Sequence, residues 1–545
     1  MATRLLTLLE LALLAVLAWP WARLVLDPHR RLARIAPRVH AGLAVLLGAA
    51  AAAAALAAIH APRALDVAVG AVVVVAAFAG WRARPGYGRS RRLPPGSLAL
   101  SRSIEALVER DFYAREWRRH GPIFKMAQFH RPVVCVVGLE LGHDLLRRHR
   151  DRLGPSPLPW NDELRGGFLR YMDDATHEVY GALFRVALSG PVVGAAEPVA
   201  RRAARRELAE LAKLAAATRG ADRGGAAGRA RPASLAAAVG AAPGGALDRI
   251  VLAAFAQVLF GLDEESAAFP ALARGHAVLR EQSLAAPLTA RSRKALEDLR
   301  ALVEARAGEV RAGAGAGESR ACALQELARA DPRMPDGICV DNLLFILRIA
   351  TDNVGALLRW LIKTLGEHPQ WSDQLRRELL AEREREASSP AADESGPLAA
   401  SGPPGLADRI VMETLRLTQS EYLYRVVREE FEHGGFVFPA GWQLRVCVRE
   451  SHRDEQIWPD AARFDPDRFL ARGVPRTQYS PFGFHHHACN GVDLNNMICR
   501  VTLEELAAGF DWSLVRDGAI ERGFRHWSHW RPSAKLAIAI SPRDG

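Results

Sequence analysis

The chain has 545 residues, 49% of them hydrophobic, and its formal net charge of +11 comes mainly from arginine, with only five lysines. This length is typical of an enzyme with one large catalytic unit, and the six cysteines lack the paired spacing of a disulfide framework, which favours a reducing compartment. No zinc finger, helix-turn-helix pattern or aromatic–basic alternation accompanies the positive charge, so we do not expect nucleic acid as a partner.

The N-terminal region, residues 1–81, is predicted to anchor the chain in a membrane. Three mainly apolar stretches lie there, at 5–26, 41–59 and 64–81, and the acidic residues Glu10 and Asp66 interrupt the first and third. Because a spanning helix needs about 20 apolar residues, we expect one to three transmembrane helices. The alternatives are a cleaved signal peptide for the first stretch and a helical hairpin partly buried against protein for the other two.

Arginines indicate the orientation of these stretches. They are concentrated between the first and second stretches and again after the third, whereas the second connection carries only Arg63. The positive-inside rule therefore predicts a cytoplasmic side for the first loop and for everything after the third stretch. Residues 82–96 are basic and contain Pro94-Pro95, which predicts a stiff linker between the bilayer and residues 97–545.

Residues 97–545 predict a helical body with short extended segments. Two biased segments, 215–245 (Ala, Gly and Arg) and 388–405 (Ser, Pro and Ala), are typical of surface loops. The apolar stretch 341–366 and the stretch 408–417 predict helices, and Glu413 and Arg416 are three residues apart, on one face of the second. Extended residues between turn formers predict a hairpin around 434–441.

The most informative segment is the loop Ser480 to Gly491, which contains Cys489 just ahead of a helical stretch. A helix N-terminus and nearby cations favour a thiolate at such a position, and a thiolate is a strong donor to haem iron. Two alternatives are open at this point. One is a buried cysteine beside a solvated histidine run, and the other is a zinc or copper site that uses His485, His486, His487 and Cys489.

The order of these segments carries a family resemblance. Four of them, Glu413 to Arg416, Gly434 to Gly441, Glu450 to Asp454 and Phe464 to Phe469, precede the cysteine loop. In that order they resemble the C-terminal half of the cytochrome P450 superfamily. The resemblance extends from about Arg92 to the C-terminus and is strongest from Asp341 to Leu494. It implies a mostly α fold with small β-sheets (α+β), preceded by transmembrane helices, with 97–545 as a domain that binds haem b.

The resemblance also implies roles for individual residues. Cys489 would be the axial iron ligand, with Phe482 over the sulfur. The propionate contacts would be His487, Arg425 and His177, and a buried triad of Glu413, Arg416 and Arg468 would fix the proximal side. On the distal side, Ala350 would make room for dioxygen, and Asp352 with Asn353 would handle protons.

Several positions depart from the family pattern. Asn353 stands where an alcohol is usual, and an amide cannot reproduce a hydroxyl's rotatable donor. His485 stands where the family has glycine in a turn of unusual backbone angles. Gly181 stands where an arginine usually follows the histidine, so a satisfied helix histidine is the alternative for His177. For Asp352 the alternative is an ion pair with Arg348 or Arg359.

The implied function is a membrane-bound haem-thiolate monooxygenase that hydroxylates or otherwise oxidises a lipophilic substrate with O2. Electrons would come from a separate NAD(P)H-linked partner, a ferredoxin or flavoprotein reductase, because no flavin, ferredoxin or dinucleotide-binding segment is visible. One alternative is an enzyme that uses or rearranges peroxides, motivated by Asn353 and the altered cysteine loop. A second is a non-catalytic membrane protein that binds haem or a metal.

Overall fold

The structure is a computed structural model that describes residues 2–26, 37–82, 92–128, 131–156, 159–222, 245–284, 286–312, 321–388, 404–418, 422–471, 473–521, 530–533 and 535–543. The two biased segments and the arginine-rich loops after the first and third apolar stretches lie largely outside the described residues.

Helices make up most of the described chain. In chain order they are α1 (Ala2–Val25), α2 (Pro37–His60), α3 (Pro62–Arg82), α4 (Leu100–Val108), α5 (Phe112–His120), α6 (Leu139–Arg148), α7 (Asp174–Ala187), α8 (Gly190–Asp222), α9 (Ala246–Phe260), α10 (Phe269–Glu281), α11 (Ala290–Arg311), α12 (Ala323–Ala330), α13 (Asp336–Glu367), α14 (Pro369–Ser388), α15 (Leu406–Thr418), α16 (Val448–Ser451) and α17 (Val492–Gly509). Short 3-10 turns include Pro466–Phe469 and His485–His487.

The strands are short. They are β1 (Gly96–Ser97), β2 (Ile123–Gln128), β3 (Arg131–Val136), β4 (Leu153–Gly154), β5 (Tyr422–Val427), β6 (Phe431–His433), β7 (Phe436–Phe438), β8 (Gln443–Cys447), β9 (Phe510–Arg516), β10 (Ile520–Glu521), β11 (Arg531–Pro532) and β12 (Ala537–Pro542). Among the described residues the fold is therefore mostly helical with small sheets, and the expected fold class is confirmed at that level.

Two compact units can be separated. The first, which we call the sheet unit, comprises the described residues within 1–156 and 420–451. The second, the helical unit, comprises residues 157–419, 452–521 and 530–545.

The sheet unit contains a six-stranded sheet in the order β1-β2-β3-β8-β5-β4. Strands β2 and β3 are antiparallel neighbours, whereas β3 and β8 are parallel, so the N-terminal hairpin joins strands from much later in the chain. The expected hairpin at 434–441 is present as β6 and β7. Its two-residue turn is Gly434-Gly435, with φ of 58° and 77°, a conformation that glycine adopts without steric cost.

The apolar N-terminal helices belong to the sheet unit and expose large apolar side chains. Within the described residues, one N-terminal helical stretch, His40–Ala58, is long and apolar enough to cross a bilayer, and Leu9–Trp19 and Ala64–Val74 are shorter apolar stretches. Val45, Leu46 and Leu56 are exposed on α2. This finding is weaker than the expectation of up to three spanning helices.

The helical unit has one continuous apolar core, in which α9 and α13 are central. Helix α9 is buried along most of its length and ends at Gly261, whose φ of 67° is typical of a left-handed helix cap. Helix α13 has 32 residues, begins after Pro335 with Asp336 in its first turn, and is also largely buried. A helix that is apolar around most of its circumference must lie inside the protein, and α13 does.

Candidate functional site

The cysteine loop is closed by its own backbone. The Ser480 carbonyl accepts from the Gly483 amide at 3.2 Å, and the Phe482 carbonyl accepts from the Cys489 amide at 2.9 Å. The Gly491 amide donates to Cys489 Sγ at 3.4 Å, immediately before α17 begins. Cys489 is exposed, whereas the other five cysteines are buried. An amide donor and a helix N-terminus both favour negative charge on this sulfur.

A second feature of the helical unit is an open stripe on α13. Between residues 339 and 365 this helix is buried except at Ile346, Ile349, Ala350, Asp352 and Asn353. Four of these, all but Asp352, recur at three- and four-residue intervals and therefore share a face. Helix α13 also contacts α17. We refer to residues 346, 349, 350 and 353 as the α13 stripe.

The stripe and the cysteine loop fit a haem group. The stripe is apolar except for Asn353 and remains partly exposed in the middle of a buried helix. Its apolar residues Ile346, Ile349 and Ala350 pack against the apolar core of the helical unit, and so does Phe482 of the cysteine loop. Apolar side chains left open in this way provide a cradle for a flat apolar group. Cys489 would supply the thiolate that haem iron accepts.

Asp352 lies beside the stripe, and two arginines bind its carboxylate. Arg280 on α10 donates to Oδ1 at 2.8 Å, and Arg348 donates to Oδ2 at 2.5 Å. The ion pair with Arg348, one of the two alternatives considered from the sequence, is present. Arg359, the other, pairs instead with Asp248 at 3.5 Å. Arg280 is a partner that the sequence did not indicate.

The same charge cluster extends into α9 and α10. Arg280 Nη1 lies 3.0 Å from Asp248 Oδ2, so one guanidinium joins two acids. Burial lowers the pKa of Arg280, but the charges of Asp352 and Asp248 outweigh it and the net shift is upward. His276 Nε2 and Thr351 Oγ1 lie 2.9 Å apart, and burial lowers the pKa of His276 to about 3. This histidine is therefore neutral near pH 7.

Glu413, Arg416 and Arg468 are brought together. Arg416 donates to both oxygens of Glu413 at 2.7 and 2.8 Å, and neither side chain is exposed. Arg468 Nε lies 3.4 Å from Glu413 Oε1, and the Asp465 amide donates to the same oxygen at 3.0 Å. Burial raises the pKa of Glu413, and Arg416 opposes that shift. Arg416 also donates to the carbonyl oxygens of His452, Ala461 and Arg463.

His177 and His487 are also brought together. Their ring centroids lie 4.1 Å apart, and both side chains are buried. A Cβ on Gly181 would lie 2.9 Å from His177 Cε1, so the glycine that replaces the usual arginine leaves room for this ring. His487 Nε2 lies 3.9 Å from Asp174 Oδ1. The pair joins α7 to the cysteine loop.

The remaining residues are placed as follows. Arg425 lies in β5 of the sheet unit, and its Nη1 donates to the Tyr424 carbonyl at 2.7 Å. His485 has a φ of 61°, so a histidine adopts the left-handed conformation of the usual glycine. Among the described residues, no group of three or more His, Cys, Asp and Glu side chains is arranged to hold a metal ion.

Comparisons with known proteins agree with these features. The sequence profile of the family "Cytochrome P450" matches residues 323–537. Abscisic acid 8'-hydroxylase 2 of Arabidopsis thaliana is 28% identical over 213 residues, 38% of this chain and 42% of that protein. Abscisic acid 8'-hydroxylase 3 of Oryza sativa subsp. indica is 30% identical over 200 residues, 36% of this chain and 38% of that protein. The matched part thus spans only about two fifths of these relatives' length.

Solved structures share the fold over a longer part of the chain. The retinoic acid-bound cyanobacterial CYP120A1 superposes with a TM-score of 0.62 at 20% identity, over 84% of this chain and 100% of that structure. A zebra fish cytochrome P450 with abiraterone gives a TM-score of 0.59 at 16% identity, over 79% of this chain and 99% of that structure. At such identities the likeness is one of fold, and with the profile match it leads to one conclusion. Residues 323–537 belong to the cytochrome P450 family, and the longer part that superposes shares the fold of solved cytochrome P450 structures.

Proposed function

We propose that this protein is a membrane-bound haem-thiolate monooxygenase that hydroxylates a lipophilic organic substrate. The observation that carries the proposal is Cys489, an exposed sulfur that accepts the Gly491 amide at 3.4 Å ahead of α17, in a unit whose central helix leaves an apolar stripe open. The cytochrome P450 family binds haem b iron through a cysteine thiolate. Hydroxylation is also the reaction in the names of the two plant relatives.

The residues of this chain have separate tasks in the proposed enzyme. Cys489 would ligate the iron, Phe482 would cover the sulfur, and His487, His177 and Arg425 would contact the propionates. Glu413, Arg416 and Arg468 would hold the proximal loops, because buried charges persist only when mutually paired. When bound, the haem supplies the activation of dioxygen and the insertion of oxygen.

On the distal side, the small Ala350 would leave space and Asn353 would hold a water by its amide. Proton transfer requires a group within hydrogen-bond reach, directly or through one water, and an amide can position that water without itself being an acid. Asp352 would supply the proton only after loosening from Arg280 or Arg348, which now occupy both its oxygens. Ile346 and Ile349 would contact an apolar substrate.

The electrons would come from a separate NAD(P)H-linked redox partner, a ferredoxin or a flavoprotein reductase. The membrane would be reached through the N-terminal helices, with the catalytic region on the cytoplasmic side. The exposed Val45, Leu46 and Leu56 of α2 support membrane contact, because an apolar helix surface without a protein partner is stable in lipid. Attachment to a membrane favours substrates drawn from the bilayer.

The test is the spectrum of the reduced protein with carbon monoxide. Wild type should show the red-shifted Soret band of thiolate ligation. Cys489→Ala should fold but lose this band, whereas Cys499→Ala, which removes a buried thiol from the adjacent helix α17, should keep it. Retention of the band by Cys489→Ala would place the ligand elsewhere. Substrate-induced spin shifts and NAD(P)H-coupled product formation would then test catalysis.

A second candidate function is oxidation driven by peroxide, without a reductase. It is favoured by the two arginines on Asp352 and by Asn353 at the alcohol's position, because both weaken the proton supply that dioxygen chemistry needs. Turnover with hydrogen peroxide should be compared with turnover on a reductase chain. Efficient NAD(P)H-coupled hydroxylation together with no peroxide reaction would exclude this candidate.

A further inference from the structure

We propose that His452 is a positioning residue that fixes the start of the thiolate loop by accepting the Ser480 amide hydrogen. The proposal rests on the haem-thiolate function above and adds a residue to it. The His452 ring bonds to the loop backbone at Ser480, so its effect on the sulfur would be indirect, through the backbone.

The geometry of the contact is specific. His452 is fully buried, and its Nε2 accepts from the Ser480 amide at 3.0 Å. Its ring stacks on Tyr479, with centroids 5.2 Å apart and planes 28° apart. A ring nitrogen that accepts a hydrogen bond must be unprotonated. Burial, aided by the charge of Arg416, lowers the pKa of His452 to about 3, so the ring remains an acceptor near pH 7.

From Ser480 the fixed geometry continues to the sulfur. The Ser480 hydroxyl donates to the Arg476 carbonyl at 2.6 Å, and the Ser480 carbonyl accepts from Gly483 at 3.2 Å. The Phe482 carbonyl then accepts from the Cys489 amide at 2.9 Å. Without the hydrogen bond from the Ser480 amide to His452, this loop would be free to move at its first residue.

His452 also connects the loop to the buried charge pair. Arg416 Nη1 donates to the His452 carbonyl at 2.9 Å while the same guanidinium binds Glu413. His452 therefore accepts a hydrogen bond from Arg416 of the charge pair at its backbone carbonyl, and its ring nitrogen accepts one from the cysteine loop. The contact with Ser480 joins positions 28 residues apart, so it depends on folding and not on local turn geometry.

The decisive comparison is His452→Gln against His452→Asn. The glutamine amide extends about as far as the imidazole Nε2 and can accept the Ser480 amide, whereas asparagine is one carbon shorter and cannot reach it. Both variants bury an amide side chain, so the free-energy cost of burying that polar group is similar in the two. Tyr479→Phe is the control for general destabilisation, because it removes only the hydroxyl that donates to the Met412 carbonyl at 2.9 Å.

Three quantities would be measured on haem-loaded protein: the fraction of the carbonyl complex in the red-shifted thiolate form, hydrogen exchange across residues 478–489, and the melting temperature. We expect His452→Asn to lower the thiolate fraction at least threefold and to speed exchange in this segment. His452→Gln should restore both, and Tyr479→Phe should lower only the melting temperature.

Two results would overturn the proposal. One is equal thiolate fractions and exchange in the asparagine and glutamine variants, and the other is a thiolate loss in Tyr479→Phe that matches its loss of stability. Absence of the thiolate band from wild type would contradict the proposed function instead. The exchange measurement would still decide whether His452 holds the loop.

Discussion

Arg280 Nε donates to Asp352 Oδ1 at 2.8 Å while Nη1 of the same guanidinium lies 3.0 Å from Asp248. One cation of α10 thereby holds an acid of α13 and an acid of α9. Asp352 and Asp248 are both largely buried, and Arg348 and Arg359 also help to neutralise their charges. The residue expected to handle protons is thus part of the packing between three helices.

Replacing this cation should be severe. Arg280→Met removes a cationic partner from two buried acids, Asp352 and Asp248. We expect a loss of about 3–5 kcal/mol in the free energy of unfolding. Arg293→Met is the matched control, since Arg293 pairs with Glu163 at an exposed site and its loss should lower stability far less. Chemical denaturation of both variants checks the prediction. Losses of similar size in the two would show that the cluster is not stabilising.

Asn353→Thr should restore a hydroxyl on the α13 stripe. Because a hydroxyl is a rotatable donor and an amide is not, we expect a change in the ratio of product formed to NAD(P)H consumed, while haem content stays near the wild-type value. The ratio is measured by product analysis against cofactor oxidation. An unchanged ratio would mean that position 353 takes no part in proton handling.

Gly181→Ala should disturb the histidine pair. The new Cβ would lie 2.9 Å from His177 Cε1, so the His177 ring, which packs 4.1 Å from the ring of His487, must shift. We expect a stability loss of about 1–3 kcal/mol from overpacking. Gly308→Ala in α11 meets no atom within 4 Å and should instead stabilise by about 0.5–1 kcal/mol. Thermal or denaturant unfolding would separate the two, and a gain in both would contradict the close packing at Gly181.

His485→Gly should stabilise the cysteine loop. At a φ of 61° a residue with a Cβ is strained, and glycine relieves that strain by about 1–2 kcal/mol, less its own loss of chain entropy. Asp460, with a φ of 51°, is the comparison, because short polar side chains tolerate this conformation better. Haem retention during heating should improve more in His485→Gly than in Asp460→Gly. A poorer retention would indicate that the imidazole makes a needed contact.

His276 should make the protein sensitive to acid. Burial lowers its pKa in the folded protein to about 3, below the ordinary value near 6.5 of an unfolded chain. Between these values the unfolded chain binds more protons, so stability is full above about pH 6.5 and falls as the pH drops. From about pH 7.5 to about pH 5 this histidine should account for roughly 2 kcal/mol of the loss.

The check is the unfolding free energy of wild type and His276→Gln at both pH values. The unfolding free energy of His276→Gln should change less with pH than that of wild type. Part of the pH dependence should remain, because the pKa of His452 is also lowered to about 3. Equal slopes would mean that His276 does not remain neutral in the folded state.

Local features of this protein could be predicted from its sequence. The apolar run at 341–366 predicted the core of α13, and the turn formers and extended residues at 434–441 predicted a hairpin, which the structure has as β6 and β7. These signals act within one helix or one turn, where periodicity and backbone freedom decide the structure. The order of motifs before Cys489 also indicated the family that the profile match supports.

The sequence by itself determined the positions of the cysteine loop, of helices α13 and α15 and of the hairpin near residue 434, because side-chain periodicity and turn chemistry operate over a few neighbouring residues. Only the tertiary structure decided which distant residues meet, whereas the pairs Glu413–Arg416 and Arg348–Asp352 lie within one helix. Arg280 reaches Asp352 across 72 residues, and His452 reaches Ser480 across 28. Such pairs depend on how helices and loops pack, and burial then makes each contact costly to lose.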